Sequence, residues 1–186
     1  MFICTGRRNS TSFSSDELNT QARKKNRVCQ PQKVNPVEER LSALGIVLPE
    51  VPIPMANYVP AVRSGNLLFL SGQGPRFDGN QFKTGVVGDT VTLEEAYQHA
   101  RLVGIQLLAA AKGALDGDLS RVRRVVKLLG LVNCTPAFGK QPQVINGCSD
   151  LLVEVFGENG RHARSAVGAH LPNNITVEIE AVLEVS

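Results

Sequence analysis

Tryptophan is absent from the 186-residue chain, tyrosine and methionine occur twice each, and aromatic residues amount to 5%. A chain so poor in flat side chains has few platforms on which bases could stack, which weighs against single-stranded nucleic-acid binding. Cysteine is sparse as well. Cys4, Cys29, Cys134 and Cys148 form no CxxC pair, so a zinc ribbon or thioredoxin-type site is unsupported, and four thiols in this length do not make a disulfide scaffold. There is no long apolar run: Leu102 to Leu115 is interrupted by Gln106 and Lys112 and is too short to span a bilayer. Met1 to Cys4 runs directly into Arg7 and Arg8, which leaves no apolar region for a signal peptide. The body therefore reads as cytoplasmic. The familiar catalytic signatures are missing too, with no Walker loop, no HExxH and no GxSxG.

What is present suffices for a globular core: 42% of residues are hydrophobic and 20% charged, and the length suits one domain. The net charge of +3 is unevenly placed. Residues 1–35 hold seven cations and two anions, which leaves thirteen cations and fifteen anions for the rest, a balance of −2. The basic character belongs to the N-terminal segment, and a nucleic-acid-binding body is disfavoured. That segment is rich in Ser, Thr, Asn, Gln and cations and reads as a disordered extension. A transit peptide is the competing reading, with Asp16 and Glu17 counting against it; a natural start near Val34 is a third.

Residues 36–186 read as a single domain. Asn35, Pro36 and Glu38 make a helix-start signature that Gly45 closes. Tyr58 to Arg63 and Leu67 to Ser71 form a hairpin around Gly65 and Asn66, both of which tolerate positive φ. Gly72 to Gly88 is a glycine-rich loop. Thr92 and Glu95 form a capping box, after which Ala96, Ala100, Val103, Leu107, Ala110 and Ala114 make one narrow apolar stripe ending near Gly117. Val122 to Val132 reads as a strand, Val144 to Phe156 as a helix, Ala163 to Ala169 as a short strand and Ile175 to Val185 as a half-buried strand with period-two alternation. The order β-β-α-β-α-β-β predicts an α+β fold, a mixed sheet with two helices on one face.

Few residues carry obvious chemistry. Ser71-Gly72-Gln73-Gly74 superficially resembles a phosphate loop but leads into no helix, so it reads as a turn. His99 reads as a packing or surface residue; His162 and His170 match no metal spacing and read as structural or solvated. Arg121, Arg123 and Lys127 share one strand face with Arg124 on the other, a solvated strand entrance rather than an RNA patch. Arg164 stands out because Ser165, Ala166, Gly168 and Ala169 around it leave room for a ligand, and a guanidinium there can hold a carboxylate bidentately. Glu178 and Glu180 share a face of the following strand, where a carboxylate could orient water. An ordinary cross-strand Arg–Glu pair is the alternative.

Tyr58-Val59-Pro60 through Leu70-Ser71-Gly72-Gln73, Asn146, and Ala163-Arg164-Ser165 followed by Val177-Glu178-Ile179-Glu180-Ala181 together resemble the YjgF/RidA family, the reactive-intermediate deaminases also labelled endoribonuclease L-PSP, in its YjgF/chorismate-mutase-like branch. The resemblance spans residues 36–186. It implies a homotrimer with sites between subunits, no cofactor or metal, and hydrolysis of 2-imino or enamine acids to 2-keto acids and ammonia. By the same resemblance Arg164 clamps the substrate carboxylate and Glu178 positions the attacking water. Tyr58, Ser71, Gly72 and Asn146 then line the pocket. Two departures stand out: Ala166 occupies a position often held by Cys in deaminases, and Gly168-Ala169-His170 is smaller than usual. A non-catalytic carboxylate-binding trimer is the alternative function, with endoribonuclease third.

Overall fold

A computed structural model describes residues 35–50, 57–79 and 81–186; the predicted N-terminal extension falls outside them, apart from Asn35. Among the described residues three α-helices accompany a five-stranded and a two-stranded sheet. Helix α1, Pro36–Ala43, starts as the sequence predicts, with the Asn35 side chain accepting from the Val37 amide at 3.0 Å. Strands β1, Ala61–Ser64, and β2, Leu67–Gln73, form the expected hairpin. Gly65 alone takes the positive φ, 60°. The glycine-rich loop contains a small hairpin that the sequence did not reveal, β3, Arg76–Asp78, with β4, Gln81–Phe82; runs of two and three residues are too short for a periodic signal.

Helix α2, Leu93–Ala114, carries the predicted capping box: Thr92 Oγ1 accepts from the Glu95 amide and Glu95 Oε2 accepts from the Thr92 amide. Strand β5, Val122–Val132, helix α3, Gln141–Phe156, strand β6, Ala163–Gly168, and strand β7, Val177–Val185, complete the order. Helix α3 begins earlier than predicted because Pro142 opens it, a position where the missing N–H costs nothing. The sheet order is β1-β2-β7-β5-β6, antiparallel except for β5 with β6. That parallel pair needs a crossover, which α3 supplies. The α+β reading with a mixed sheet is the observed architecture.

Alternation divides the sheet into two unlike faces. Leu68, Leu70, Val125, Leu128, Val132, Val177, Ile179, Ala181 and Leu183 are buried with α2 and α3 in one hydrophobic cluster. Small residues let the two helices approach each other closely: a Cβ on Gly147 would strike the backbone at Tyr97. The stripe on α2 is therefore shared between sheet and neighbouring helix, and it ends before Ala114, which is exposed. Strand β5 departs from simple alternation. Bulges between Val122 and Arg124 and between Val125 and Lys127 each insert an extra residue, so Arg123 and Arg124 are both exposed. Arg121 lies in the preceding 3-10 turn, where it pairs with Asp116 at 3.2 Å. The predicted sharing of one face by Arg121, Arg123 and Lys127 is thus corrected. Among the described residues no helix is long and apolar enough to cross a membrane.

Candidate functional site

Arg164 sits on β6, the strand at one edge of the sheet, and pairs with Leu128 of β5. Its side chain turns toward α3, where Nη1 donates to Asn146 Oδ1 and to Ser149 Oγ, both at 2.9 Å. Asn146 and Ser149 are three residues apart on α3, hence neighbours on one helix face. His162, just before β6, closes the group: its Nε2 lies 3.0 Å from Ser149 Oγ and its Nδ1 2.6 Å from the Gly160 carbonyl oxygen. Burial holds the imidazole below its ordinary pKa against an upward pull from the Gly160 bond, and the adjacent Arg164 charge adds a lesser downward push. The ring is therefore neutral at neutral pH. Cys148, on the same helix, is fully buried, and burial pushes its thiol up to about 12, so it supplies no thiolate here.

A second group forms around the bulge in β2. The ladder between β2 and β7 shifts register between Leu70 and Gln73, which sets Ser71 and Gly72 apart from regular pairing. Ser71 Oγ donates to the Val59 carbonyl at 2.7 Å and its amide to the Pro60 carbonyl at 3.0 Å. These bonds tie Tyr58-Val59-Pro60 alongside the bulge and leave Tyr58 exposed. Gly72 lies against the Glu178 side chain: a Cβ there would come within 3.1 Å of the carboxyl carbon. Burial first, and Glu180 second, raise the Glu178 pKa above the ordinary carboxylate value. A polarised water beside such a carboxylate would find a better base than beside a fully solvated one.

The structure thus brings Arg164 together with Asn146, Glu178 together with Gly72, and Ser71 together with the segment after Tyr58, but it does not join Arg164 to Glu178. Glu178 pairs with Leu131, which pairs with Val167. It therefore stands two strands from β6, about 10 Å, and three residues further along it, another ~10 Å. The side chains also point to opposite sides. Arg164 shares the helix-covered face with Leu128, whereas Glu178 and Glu180 alternate with buried Val177 and Ile179 and face away. A cross-strand Arg164–Glu pair is excluded because β5 separates β6 from β7. Ser149 and His162 were missed in the sequence. The i, i+3 spacing from Asn146 was a signal for Ser149, whereas the fold of the chain between α3 and β6 was needed for His162.

Of the other histidines, His99 packs with its Nδ1 3.0 Å from Oγ1 of the buried Thr176, and His170 is solvated. Among the described residues no three His, Cys, Asp or Glu side chains group as metal ligands. A cavity of about 490 Å³ between α1 and α2, lined by Leu41, Ile46, Leu48 and Ala109, contains none of the candidate residues. Its charged lining is Glu38, Glu50 and Lys112, two carboxylates against one ammonium, so the Arg164 cluster is the better place for anionic chemistry.

Known proteins are similar to this chain over most of its described length. Residues 38–177 match the family described as "YjgF/chorismate_mutase-like, putative endoribonuclease". The Trypanosoma cruzi protein TCP17 is 46% identical over 152 residues, which cover 81% of this chain and 94% of that protein. A 2-iminobutanoate/2-iminopropanoate deaminase of Dermatophagoides farinae is 31% identical over 140 residues, covering 74% and 93%. The crystal structure of an Agrobacterium tumefaciens protein of unknown function superimposes with a TM-score of 0.74 at 49% identity, covering 80% of this chain and 91% of that one. The match runs from α1 to the start of β7 and includes Arg164, Asn146, Ser71 and Gly72, so the chain belongs to the YjgF/chorismate mutase-like family, the RidA and endoribonuclease L-PSP proteins.

Proposed function

We propose that the protein hydrolyses reactive 2-imino and enamine acids to 2-keto acids and ammonia. The observation that carries this reading is Arg164: a guanidinium held by Asn146 and Ser149 at the sheet edge, beside the small Ala166 and Gly168. A fixed guanidinium among small side chains receives a carboxylate in one orientation. With the carboxylate clamped, the adjacent imine carbon is presented to water. Glu178 takes a proton from that water as its oxygen bonds to the carbon, and the nitrogen gains a proton. Collapse of the resulting carbinolamine expels ammonia and leaves the 2-keto acid. The reaction asks little beyond positioning, which a rigid pocket supplies. The Dermatophagoides farinae relative bears the name of this activity.

The two faces of the sheet support one way of completing such a site. Arg164 and Glu178 lie too far apart to serve one substrate within a chain, so the Glu178 group of one copy is to meet the Arg164 group of another. The face turned away from the helices suits this role, with Val62, Phe69 and Val167 exposed at 53%, 44% and 46%. Three copies, each setting this face against the β6 edge of the next, make a homotrimer with a site at each junction.

The test is ammonia and 2-oxobutanoate release from freshly generated 2-iminobutanoate. Acceleration by wild type that falls about a hundredfold or more in Arg164→Ala, the loss of a bidentate charge-assisted clamp, supports the reading. No acceleration by assembled wild type overturns it. One observation favours a second reading, a carboxylate-binding protein without turnover: the Arg164 cluster is built within one chain and does not need Glu178. Under that reading Glu178→Ala leaves 2-oxobutanoate binding intact and there is no turnover to lose.

A further inference from the structure

We infer that Ser149 and His162 are positioning residues for Arg164, and that they set which edge of its guanidinium meets the carboxylate of a small acid. The inference rests on the proposed clamp for its use, but the relay stands on geometry. The Gly160 carbonyl oxygen only accepts, so the 2.6 Å contact assigns the proton to His162 Nδ1. With the ring neutral, Nε2 is a lone pair and Ser149 must donate its hydroxyl proton to it across 3.0 Å. The Ser149 oxygen is then left as an acceptor, aimed at Arg164 Nη1. Each link fixes the direction of the next, from backbone carbonyl to imidazole, hydroxyl and guanidinium. All four groups are at least partly buried or on backbone, where satisfied polar chains rigidify their members.

The consequence is chemical. Both Nη1 hydrogens are committed, one to Asn146 and one to Ser149. Nε and Nη2 keep three hydrogens and, among the described residues, no hydrogen-bond partner is present for them. A carboxylate can therefore be held in a fork only along the Nε–Nη2 edge, not end-on across Nη1 and Nη2. Ala166 and Gly168 follow Arg164 on the same strand face and offer no side chain that would compete for that edge. A compact acid with one carboxylate next to the reacting carbon fits such a clamp.

The full chain in four forms, wild type, Ser149→Ala, His162→Ala and His162→Gln, provides the test. Steady-state kinetics on 2-iminobutanoate should show KM raised about tenfold in Ser149→Ala and His162→Ala with kcat changed less than twofold, the signature of a loosened clamp. His162→Gln should recover most of the affinity, because its amide oxygen can accept from Ser149. A residue that merely supports the fold would instead lower the active fraction, and with it kcat, at constant KM. Independently of turnover, the Arg164 side-chain N–H signals, assigned by their loss in Arg164→Lys, should show hindered Nη1 rotation in wild type that is released in both alanine variants. Equal KM values together with unchanged Nη1 rotation would overturn the relay. If wild type neither turns over 2-iminobutanoate nor binds 2-oxobutanoate, the deaminase reading fails while the Nη1 measurement still decides whether the relay exists.

Discussion

The two polar groups of this sheet differ in how far a single chain completes them. Around Arg164 the chain supplies a connected set of partners: Asn146 and Ser149 from one helix face, His162 and the Gly160 carbonyl from the turn leading into β6. Around Glu178 the chain supplies a bulge, a glycine and a second carboxylate, Glu180, but, among the described residues, no cation. A guanidinium tolerates such an arrangement because the two donors it turns toward the helix, both on Nη1, meet neutral acceptors. A half-buried carboxylate beside a like charge does not rest easily, and its raised pKa records the burial first and the like charge second. The lesson is that the first group is preorganised and the second is provided for, so that perturbing the scaffold of one and the surroundings of the other should have different outcomes.

The largest effect is expected where the scaffold of the Arg164 group is struck. Gly147 lies between Asn146 and Ser149, and a Cβ on it would sit against Tyr97 backbone, within 2.9 Å of the carbonyl carbon and 3.1 Å of the Arg101 amide nitrogen. Neither atom can rotate away, so Gly147→Ala must push α3 from α2. A loss of about 3 kcal/mol is expected in urea denaturation, at the upper end for overpacking. A loss under about 1 kcal/mol would mean the helices are less tightly seated than described. The next effect concerns the outer face. Phe69→Lys places a charge opposite Val62 and Val182; if this face joins copies, the mass in light scattering should fall to that of one chain and activity should drop more than tenfold, since burying an unpaired ammonium is costly. An intact trimer with full activity would separate the Glu178 group from any role between copies.

How much of this was legible beforehand depends on the range of the interactions. The capping box at Thr92, the proline at Pro36 and the alternation of Val177 to Val185 are local, and the elements they predict are present. Strand β5 was placed at its observed ends, yet its arginines were assigned to the wrong faces, because a bulge is decided by the partner strand and not by the run itself. The pattern also announced Arg164 and Glu178 as unusual, but their separation by β5 is a matter of topology, and their placement on opposite faces follows from the register that sets them against Leu128 and Leu131. Ser149 and His162 lie thirteen residues apart in sequence and meet only because α3 returns along the sheet edge. Nothing in a lone serine and a lone histidine foretells that meeting.

A smaller perturbation contrasts the glycines of the two groups. At Gly72 the obstacle to a Cβ is the far end of the Glu178 side chain, a flexible group, unlike the backbone that blocks Gly147. Gly72→Ala should therefore cost less than about 1 kcal/mol of stability while displacing the carboxylate, with kcat on 2-iminobutanoate reduced about tenfold and 2-oxobutanoate binding little changed. Stability and activity falling together would show that the bulge, not the carboxylate, carries the effect.

The smallest expected effect reads the comparison most directly, through its sign. In the single chain Glu178 has a pKa above its ordinary value, from burial and Glu180. The folded form then holds its proton to higher pH than the unfolded form, so stability declines as pH rises from the unfolded to the folded value and stays lower above it. In the Phe69→Lys background, with copies apart, adding Glu178→Gln should raise stability at pH 7 by a few tenths of a kcal/mol, a modest figure because water screens a half-exposed carboxylate. The gain should vanish below the ordinary carboxylate pKa, where both forms are neutral. In the assembled protein the sign should reverse if Arg164 of a second copy stands beside Glu178: a nearby cation favours the charged form and lowers its pKa, so the ionised carboxylate then stabilises the assembly. Glu178→Gln would weaken it at pH 7 and leave it unaffected in acid. Thermal denaturation of the two backgrounds at both pH values distinguishes these cases, and a gain of the same size in both would mean that the two groups never meet.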